Sequence, residues 1–290
     1  MNPRNRAILE GAIVVAEQAR ADAIILAAAL PEEARFLRES IADGRRVIAA
    51  APGARAHPGQ GDVLSLPEIK LRRRGRAKIA LLEGLAAGLL HEDERVVIVS
   101  GNGDSGDFEL DTVALVDIRT DEDYLNGQRD APLSALQRVS DPAAFDAVLN
   151  LCVEAGHTGR EGKPIGLLAT LGDHEKVRAR SRPIVLNPVE GHPEEARPVL
   201  NPNARRALIE FSGMDGAFVI RDDGVIIAAG RYLQHLAPTG EIPPGLGARH
   251  RAAAGITAAT RCVAFVVSET TGDTRVFGGG RILMTIERSD

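Results

Sequence analysis

The sequence predicts an α/β protein of two domains: an N-terminal, mostly parallel α/β sandwich and a C-terminal domain with a mixed β-sheet flanked by helices. Three observations predict it. The first hundred residues alternate helix-period and strand-like apolar segments, the rhythm of βαβ units. The last third instead holds two pairs of β-branched runs joined by short turns, the mark of antiparallel strands. The length, 290 residues, suits two domains of roughly 100–200 residues each.

Residues 7–21, AILEGAIVVAEQARA, place apolar side chains at helical spacing. DAIILAAAL (22–30) is an apolar run of buried-strand length, and PEEARFLRES (31–40) opens with proline at a helix start. RRVIAAAP (45–52) reads as a strand, residues 66–90 contain a longer helix, and RVVIVSG (95–101) is a further strand. Residues 121–142 lack a period and are rich in turn formers, which places the boundary there and gives domains 1–137 and 142–290. The second domain opens with a helix at about 142–156 and a strand, PIGLLATLG (164–172). An irregular stretch (183–202) and a helix (202–212) follow. FVIRDDGVIIAA (218–229) is a hairpin through an Asp-Asp-Gly turn. A helix begins after Gly247, and CVAFVV and TRVF pair around SETTGD within 262–277.

Composition removes several function classes. Apolar residues make up 44% and charged residues 26%, ordinary for a water-soluble globular chain. Aromatics are 3% with no Trp, so the core is built from Ala, Val, Ile and Leu. A net charge of −5 argues against a nucleic-acid partner. Cys152 and Cys262 lie far apart in apolar runs, the pattern of two buried, reduced thiols. The seven histidines, at 57, 91, 157, 174, 192, 235 and 250, form no zinc-binding pair. No run approaches the ~20 apolar residues of a membrane span, and the N-terminus is unlike a signal peptide. A cytoplasmic protein without a membrane partner is expected.

Three motif-like stretches fail on their context. Gly101-x-Gly103-x-x-Gly106 follows a strand, but the sequel DFELDTVALVDI reads as strand where dinucleotide binding requires a helix. GHTGREGKP (156–164) has the wrong glycine spacing for a P-loop, and Pro164 stands where Ser or Thr is needed. KLRRRGRAK (70–78) has no interleaved aromatics and reads as a solvated helix face or a surface for an acidic neighbour.

The chemistry concentrates in three short elements. Asp215-Gly216-Ala217 puts a carboxylate at a strand edge, beside a glycine that would let a ligand approach the backbone; a plain Asp-Gly turn is the other reading. Gly245-Leu246-Gly247-Ala248 runs into Arg249-His250-Arg251 and Ala252 at a helix start. Basic residues are unfavourable at that positive end unless an anion sits among them, and arginine forks suit phosphate oxygens. Gly247 is expected to permit an unusual backbone path. Ser268-Glu269-Thr270-Thr271 is a hydroxyl-rich turn whose Glu269 can hold a divalent metal.

DGAFVI, then LGARHRAA, then VVSETTG together resemble the diadenylate cyclase domain, over roughly residues 142–290. The first half, with GAIVVAEQARADAIILAA and RVVIVSG, is similar to the C-terminal domain of pyruvate kinase, a pairing that resembles the archaeal-type diadenylate cyclases. The resemblance implies an enzyme that joins two ATP into cyclic di-AMP and releases two pyrophosphates, across a face-to-face homodimer or a higher assembly of dimers. It implies Asp215 as partner of the attacking 3′-hydroxyl, directly or through metal, and Gly216 and Ala217 along the ribose and phosphate approach. Leu233 would read adenine through its backbone. Gly247, Ala248, Arg249, His250, Arg251 and Ala252 would hold the polyphosphate, with Ser268 and Thr270 contacting ATP. Mg²⁺ or Mn²⁺ would sit on Glu269, Asp215 and His250. Two departures stand out: Ala248 replaces the usual Thr before Arg-His-Arg, and Ser-Glu-Thr-Thr replaces Ser-Glu-Glu-Thr. The alternative is a catalytically silent nucleotide-binding sensor of the same fold.

Overall fold

The computed structural model describes residues 1–41, 43–54, 62–102, 108–125, 133–138, 141–234 and 243–288. The chain divides into two compact units, Met1–Arg129 and Asp130–Arg288. The 3-10 helix Leu133–Arg138 therefore belongs with the second unit, ahead of the expected boundary at 137. Residues 126–132 and 139–140 of the expected connection lie outside the described residues.

The first unit begins with α1 (Pro3–Gln18), which starts where the Asn2 side chain accepts from the Asn5 N–H and Pro3 enters the first turn. There follow β1 (Ala23–Leu26), α2 (Pro31–Ser40), β2 (Arg46–Pro52), β3 (Asp62–Leu66), α3 (Arg73–Ala86), β4 (Arg95–Asn102), β5 (Glu109–Asp117) and the short α4 (Glu122–Leu125). The strand order is β3-β2-β1-β4-β5. The first four strands run parallel and β5 turns back against β4. Leu9, Ala12 and Ala16 of α1, three and four residues apart, pack with Ala34 and Leu37 of α2 on Ile24, Leu26, Val97 and Val99. Strand side chains alternate between faces, and α3, which contacts β3 and β4, contributes nothing to that cluster. It covers the opposite face. Burial on both faces explains the unbroken apolar runs of β1 and β4.

Two rejected motifs and the basic run have structural answers here. The segment after Gly101 enters strand β5 and not a helix, with Gly103 and Gly106 outside the described residues. GHTGREGKP closes as a turn through paired Arg160 and Lys163 backbone hydrogen bonds of 3.0 Å, ahead of a strand. In the basic run, Arg73 pairs with Asp111 at 3.2 Å and Arg74 with Asp123 at 2.9 Å.

The second unit contains α5 (Pro142–His157), β6 (Leu167–Leu171), α6 (His174–Ala179), β7 (Ser181–Pro183), α7 (Pro202–Phe211), β8 (Ala217–Ile220), β9 (Ile226–Leu233), α8 (Ala248–Ala259), β10 (Val263–Val267), β11 (Thr274–Gly278) and β12 (Arg281–Ile286). Its sheet runs β12-β11-β10-β6-β8-β9-β7. Only β6 and β8 pair parallel; every other named pairing is antiparallel, so the sheet is mixed. The expected hairpin is β8 and β9. In β10, Ala264 and Val266 join Ala253, Ala254 and Ile256 of α8 in one cluster. Phe265 points the other way, its ring 5.3 Å from that of Phe145 in α5. Both cysteines are buried and free. Among the described residues, no helix is long and apolar enough to cross a membrane.

Candidate active site

Strand directions bring the three motifs to one edge of the second sheet. Because β8 is antiparallel to β9, and β10 to β11, the start of β8, the end of β9, the end of β10 and the start of β11 share that edge. Helix α8 runs back toward the start of β10, so its N-terminus arrives there too. These ends enclose a cavity of about 770 Å³, within the usual range for small-molecule sites.

Asp215 lies on the cavity wall and is exposed. It is held by Gly216, whose φ is +111° and whose missing Cβ would lie 2.6 Å from the Gly230 carbonyl carbon. The glycine is thus demanded by close packing of the β8 and β9 backbones, and it also lines the cavity on the side expected for ligand approach. Ala217 pairs with Arg231, and both line the cavity beside buried Leu233.

Gly247 caps α8 with φ −76° and ψ −172°, an extended conformation open to any residue. The expected unusual path belongs to Gly245, at φ +89°. At Gly247 a Cβ would meet nothing within 4 Å, so the glycine keeps cavity space free. No side chain caps α8 and no acidic residue occupies its first turn, which leaves the end positive. Ala248, Arg249, His250 and Ala252 all line the cavity.

The three members of Arg249-His250-Arg251 have different surroundings. Arg249 is partly exposed and donates to Glu269 Oε2 at 3.1 Å. His250 is 6% exposed, and its Nε2 faces Arg275 Nη1 at 3.3 Å. Burial, then the charges of Arg275 and Arg249, lower its pKa to about 4. The imidazole is neutral at physiological pH. Arg251 is exposed, donates to the Leu246 carbonyl at 2.8 Å and does not line the cavity.

Ser268, Glu269 and Thr270 follow β10 and line the opposite wall. Ser268 Oγ accepts from the Thr271 N–H at 3.2 Å, which leaves its own hydroxyl hydrogen free to point into the cavity. Several lining residues carried no motif signal. Arg275, in the strand segment TRVF, pairs with Asp273 at 3.3 Å and reaches His250. Tyr232 and Ile184 form an exposed apolar rim; a tyrosine in a chain with only two was the available clue.

The expected metal donors do not form a closed cluster. No group of three His, Cys, Asp or Glu able to hold a metal occurs among the described residues. His250 offers Nε2 to Arg275 and lies among cations, which disfavours a further one. Asp215 and Glu269 remain, exposed on the same cavity. Two carboxylates fit a hard cation that takes its other ligands from phosphate and water, the habit of Mg²⁺.

A cavity at the end of a mixed sheet that joins an uncapped helix N-terminus, Arg249 and a hydroxyl-rich turn fits a nucleotide-binding class of domain, here following a mostly parallel α/β unit. Residues 154–282 match the family described as DisA bacterial checkpoint controller nucleotide-binding, and residues 4–122 match that described as probable sensor domain DacZ_P. A diadenylate cyclase of Haloferax volcanii is 41% identical over 183 residues, covering 63% of this chain and 65% of the relative. Another, of Methanocaldococcus jannaschii, is 32% identical over 218 residues, covering 74% of this chain and 68% of the relative. The chain belongs to the diadenylate cyclase family, and the alignments span about two thirds of each relative's length. DacA from Staphylococcus aureus, 23% identical over 48% of this chain and 84% of its own, superposes at a TM-score of 0.36, too loose a likeness to carry argument. The match over the first half is to the sensor family, and the pyruvate kinase resemblance of residues 1–137 is left without support.

Proposed function

We propose that the protein is a diadenylate cyclase that condenses two ATP into cyclic di-AMP with release of two pyrophosphates. The observation that carries this reading is the meeting of Asp215, Arg249, Ser268 and Glu269 with the uncapped α8 N-terminus around one cavity, in a chain of this family. The cavity suits one ATP. Its adenine end lies toward Leu233 and Tyr232, and its phosphates toward α8, where Arg249 and the free N–H groups of the first turn neutralise them.

In each of two equivalent steps, the 3′-oxygen of one ATP attacks the α-phosphorus of the other. The α-phosphorus–oxygen bond to the leaving pyrophosphate breaks, and the hydroxyl proton departs. Asp215 accepts that proton or orients the hydroxyl. Arg249 exchanges its Glu269 partner for phosphate oxygens, which frees Glu269. Asp215 and Glu269 would hold a divalent ion, Mg²⁺ or Mn²⁺, which would supply charge neutralisation at the phosphates. His250, neutral, braces Arg275 through its Nε2, while Glu269 directs Arg249. Positioning and charge carry most of such phosphoryl transfers.

One protomer holds one ATP, so the reaction needs a second copy facing it. The exposed run Ile184, Val185 and Leu186 beside Tyr232, with Leu186 95% exposed, supplies an apolar rim for that homodimer. A cytoplasmic setting suits both ATP and two reduced, buried thiols. The test incubates purified full-length protein with ATP and Mg²⁺ or Mn²⁺ and measures cyclic di-AMP and pyrophosphate by chromatography. The expected ratio is two pyrophosphates per cyclic product. Saturable ATP binding without product under either metal would instead support the catalytically silent sensor.

A further inference from the structure

We propose that Arg275, which no motif announces, binds the terminal phosphates of ATP and makes the cavity select a triphosphate over shorter chains. Resting on the ATP-binding part of the cyclase reading, which seats adenine by Leu233 and Tyr232 at the end of β9, the strand order decides which phosphates lie nearest Arg275. Along the cavity edge the strands run β9-β8-β6-β10-β11. β11 therefore stands four strand spacings from β9, about 19 Å at ~4.8 Å each. Asp215 at β8, and Ser268 and Glu269 at β10, fall between. A nucleotide laid across them brings its ribose and α-phosphate over β8 and its terminal phosphates toward β11.

Arg275 is built into place there. Side chains of β11 alternate between faces, so Arg275 shares a face with Phe277, which packs under α8. His250 descends from the first turn of α8 onto both residues, its ring 6.2 Å from that of Phe277 and its Nε2 3.3 Å from Arg275 Nη1. A guanidinium has no acceptor, so that ring nitrogen accepts. Arg275 Nη2 donates to Asp273 Oδ2 at 3.3 Å. Asp273 is fixed in turn: its Oδ1 accepts from the Arg288 N–H at 3.2 Å, and its carbonyl from the Ser268 N–H at 2.9 Å. The Arg275 side chain is only 17% exposed. The fork is thus aimed before a ligand arrives, which spares the rotamer entropy that a free surface arginine loses on binding.

The brace holds Arg275 without consuming it. Both contacts are 3.3 Å, beyond the roughly 2.7–2.9 Å of a full charge-assisted bond, and a guanidinium has further N–H groups to give. The other arginines near the cavity are placed elsewhere. Arg251 donates to the Leu246 carbonyl outside it. Arg231, at the β9 end, donates to the Arg178 and Ser181 carbonyls at 3.1 and 2.8 Å. Arg249 stands at the start of α8. Each phosphate added beyond the first brings charge to the β11 end, where Arg275 faces it.

Calorimetric titration of the full chain in Mg²⁺ tests this with AMP and the α,β-methylene analogues of ADP and ATP, whose carbon bridge cannot release pyrophosphate. The parent should bind the triphosphate analogue about tenfold tighter than the diphosphate analogue, the scale of one hydrogen bond to a charged group. Arg275→Met should abolish that preference and leave AMP affinity within about twofold of the parent's. Arg275→Lys, which keeps the charge and loses the fork, should keep only part of it. If Arg275→Met fails to fold by circular dichroism, Arg275→Lys gives the reading alone, and a preference equal to the parent's overturns the proposal. So does a folded Met variant that keeps the preference, or one that binds AMP and the triphosphate analogue equally less well, the mark of a structural role. A parent that shows no preference overturns it too. A parent that shows the preference yet forms no cyclic di-AMP from ATP would fell the cyclase reading and leave the phosphate role of Arg275 standing.

Discussion

The two units build their cavities in opposite ways. In the second, the chemistry sits in three short stretches, at 215–217, 247–252 and 268–271, which strand direction and one helix start deliver to the same edge. In the first, the runs 28–33 and 68–70 meet residues as far apart as Asn5 and Phe108 off the ends of parallel strands, with no glycine- or hydroxyl-rich motif among them. Chain reversals between neighbouring strands let a motif stay contiguous, because each turn contributes several residues at once. A parallel sheet returns to the same edge only after a full crossover, so its contributions, 28–33 and 68–70, are separated by a helix and two strands. Motif reading therefore reaches the second unit's site, and only topology reaches the first unit's cavity.

The largest expected effect tests the motif-built side. Asp215→Asn keeps the shape of the residue and removes its charge and basicity. Cyclic di-AMP formation should fall about 10³-fold, the combined scale of a lost base and a lost electrostatic contact, with the urea midpoint unchanged. A variant that kept a rate within tenfold of the parent would mean that the DGA carboxylate is a turn residue and nothing more.

Next comes a pair of glycines that sequence reasoning treated alike. Gly216→Ala forces a Cβ into the Gly230 backbone at φ +111° and should cost roughly 2–4 kcal/mol in urea unfolding. Gly247→Ala adds a methyl to open space at an ordinary extended residue. Its cost should stay within about 1 kcal/mol, the scale of a changed N-cap, while ATP affinity falls because the methyl enters the cavity. Equal destabilisation by both would erase the distinction between a backbone glycine and a ligand-space glycine.

The two arginines give the third contrast. Arg249→Ala should lower cyclase activity about 10²-fold, the effect of one phosphate-directed donor in a preorganised site. Arg251→Ala should lower it only a few fold, since Arg251 is tied to the Leu246 carbonyl outside the cavity. Reversed magnitudes would place the second arginine in the polyphosphate site after all.

Much of the architecture could be read from residue patterns, and the omissions have physical reasons. β1 and β10, and β4 over residues 96–99, are apolar throughout because helices cover both of their faces, so they stand out. DVLSL of β3 was missed because Asp62 and Ser65 break its run, and β7, three residues ending in proline, has no period to detect. In the site, Asp215, Ser268 and Glu269 announce themselves by clustering with glycines and hydroxyls. Arg275 does not, because a lone arginine in TRVF looks like any solvent-facing strand residue; its role comes from a neighbour, His250, twenty-five positions earlier. The motif also hid its own inequality. Three consecutive basic residues on a helix point in three directions, and helical rotation sends one of them away from the cavity.

The smallest effect concerns what charge that motif presents. An ordinary histidine titrates near 6.5, whereas burial, then Arg275 and Arg249, hold His250 at about 4. Between those values the unfolded chain binds a proton that the folded chain refuses, so stability rises with pH across that window. The contribution is complete above about pH 6.5 and is lost as pH falls toward 4. His250→Gln retains an acceptor for Arg275 and removes the titration. Between about pH 7 and pH 5 the parent's urea midpoint should fall, and the variant's should fall less. Equal falls would mean that His250 is protonated in the folded state. The helix start would then carry three cations with no anion present, an arrangement the positive end of α8 opposes and which a neutral, Arg275-braced imidazole avoids.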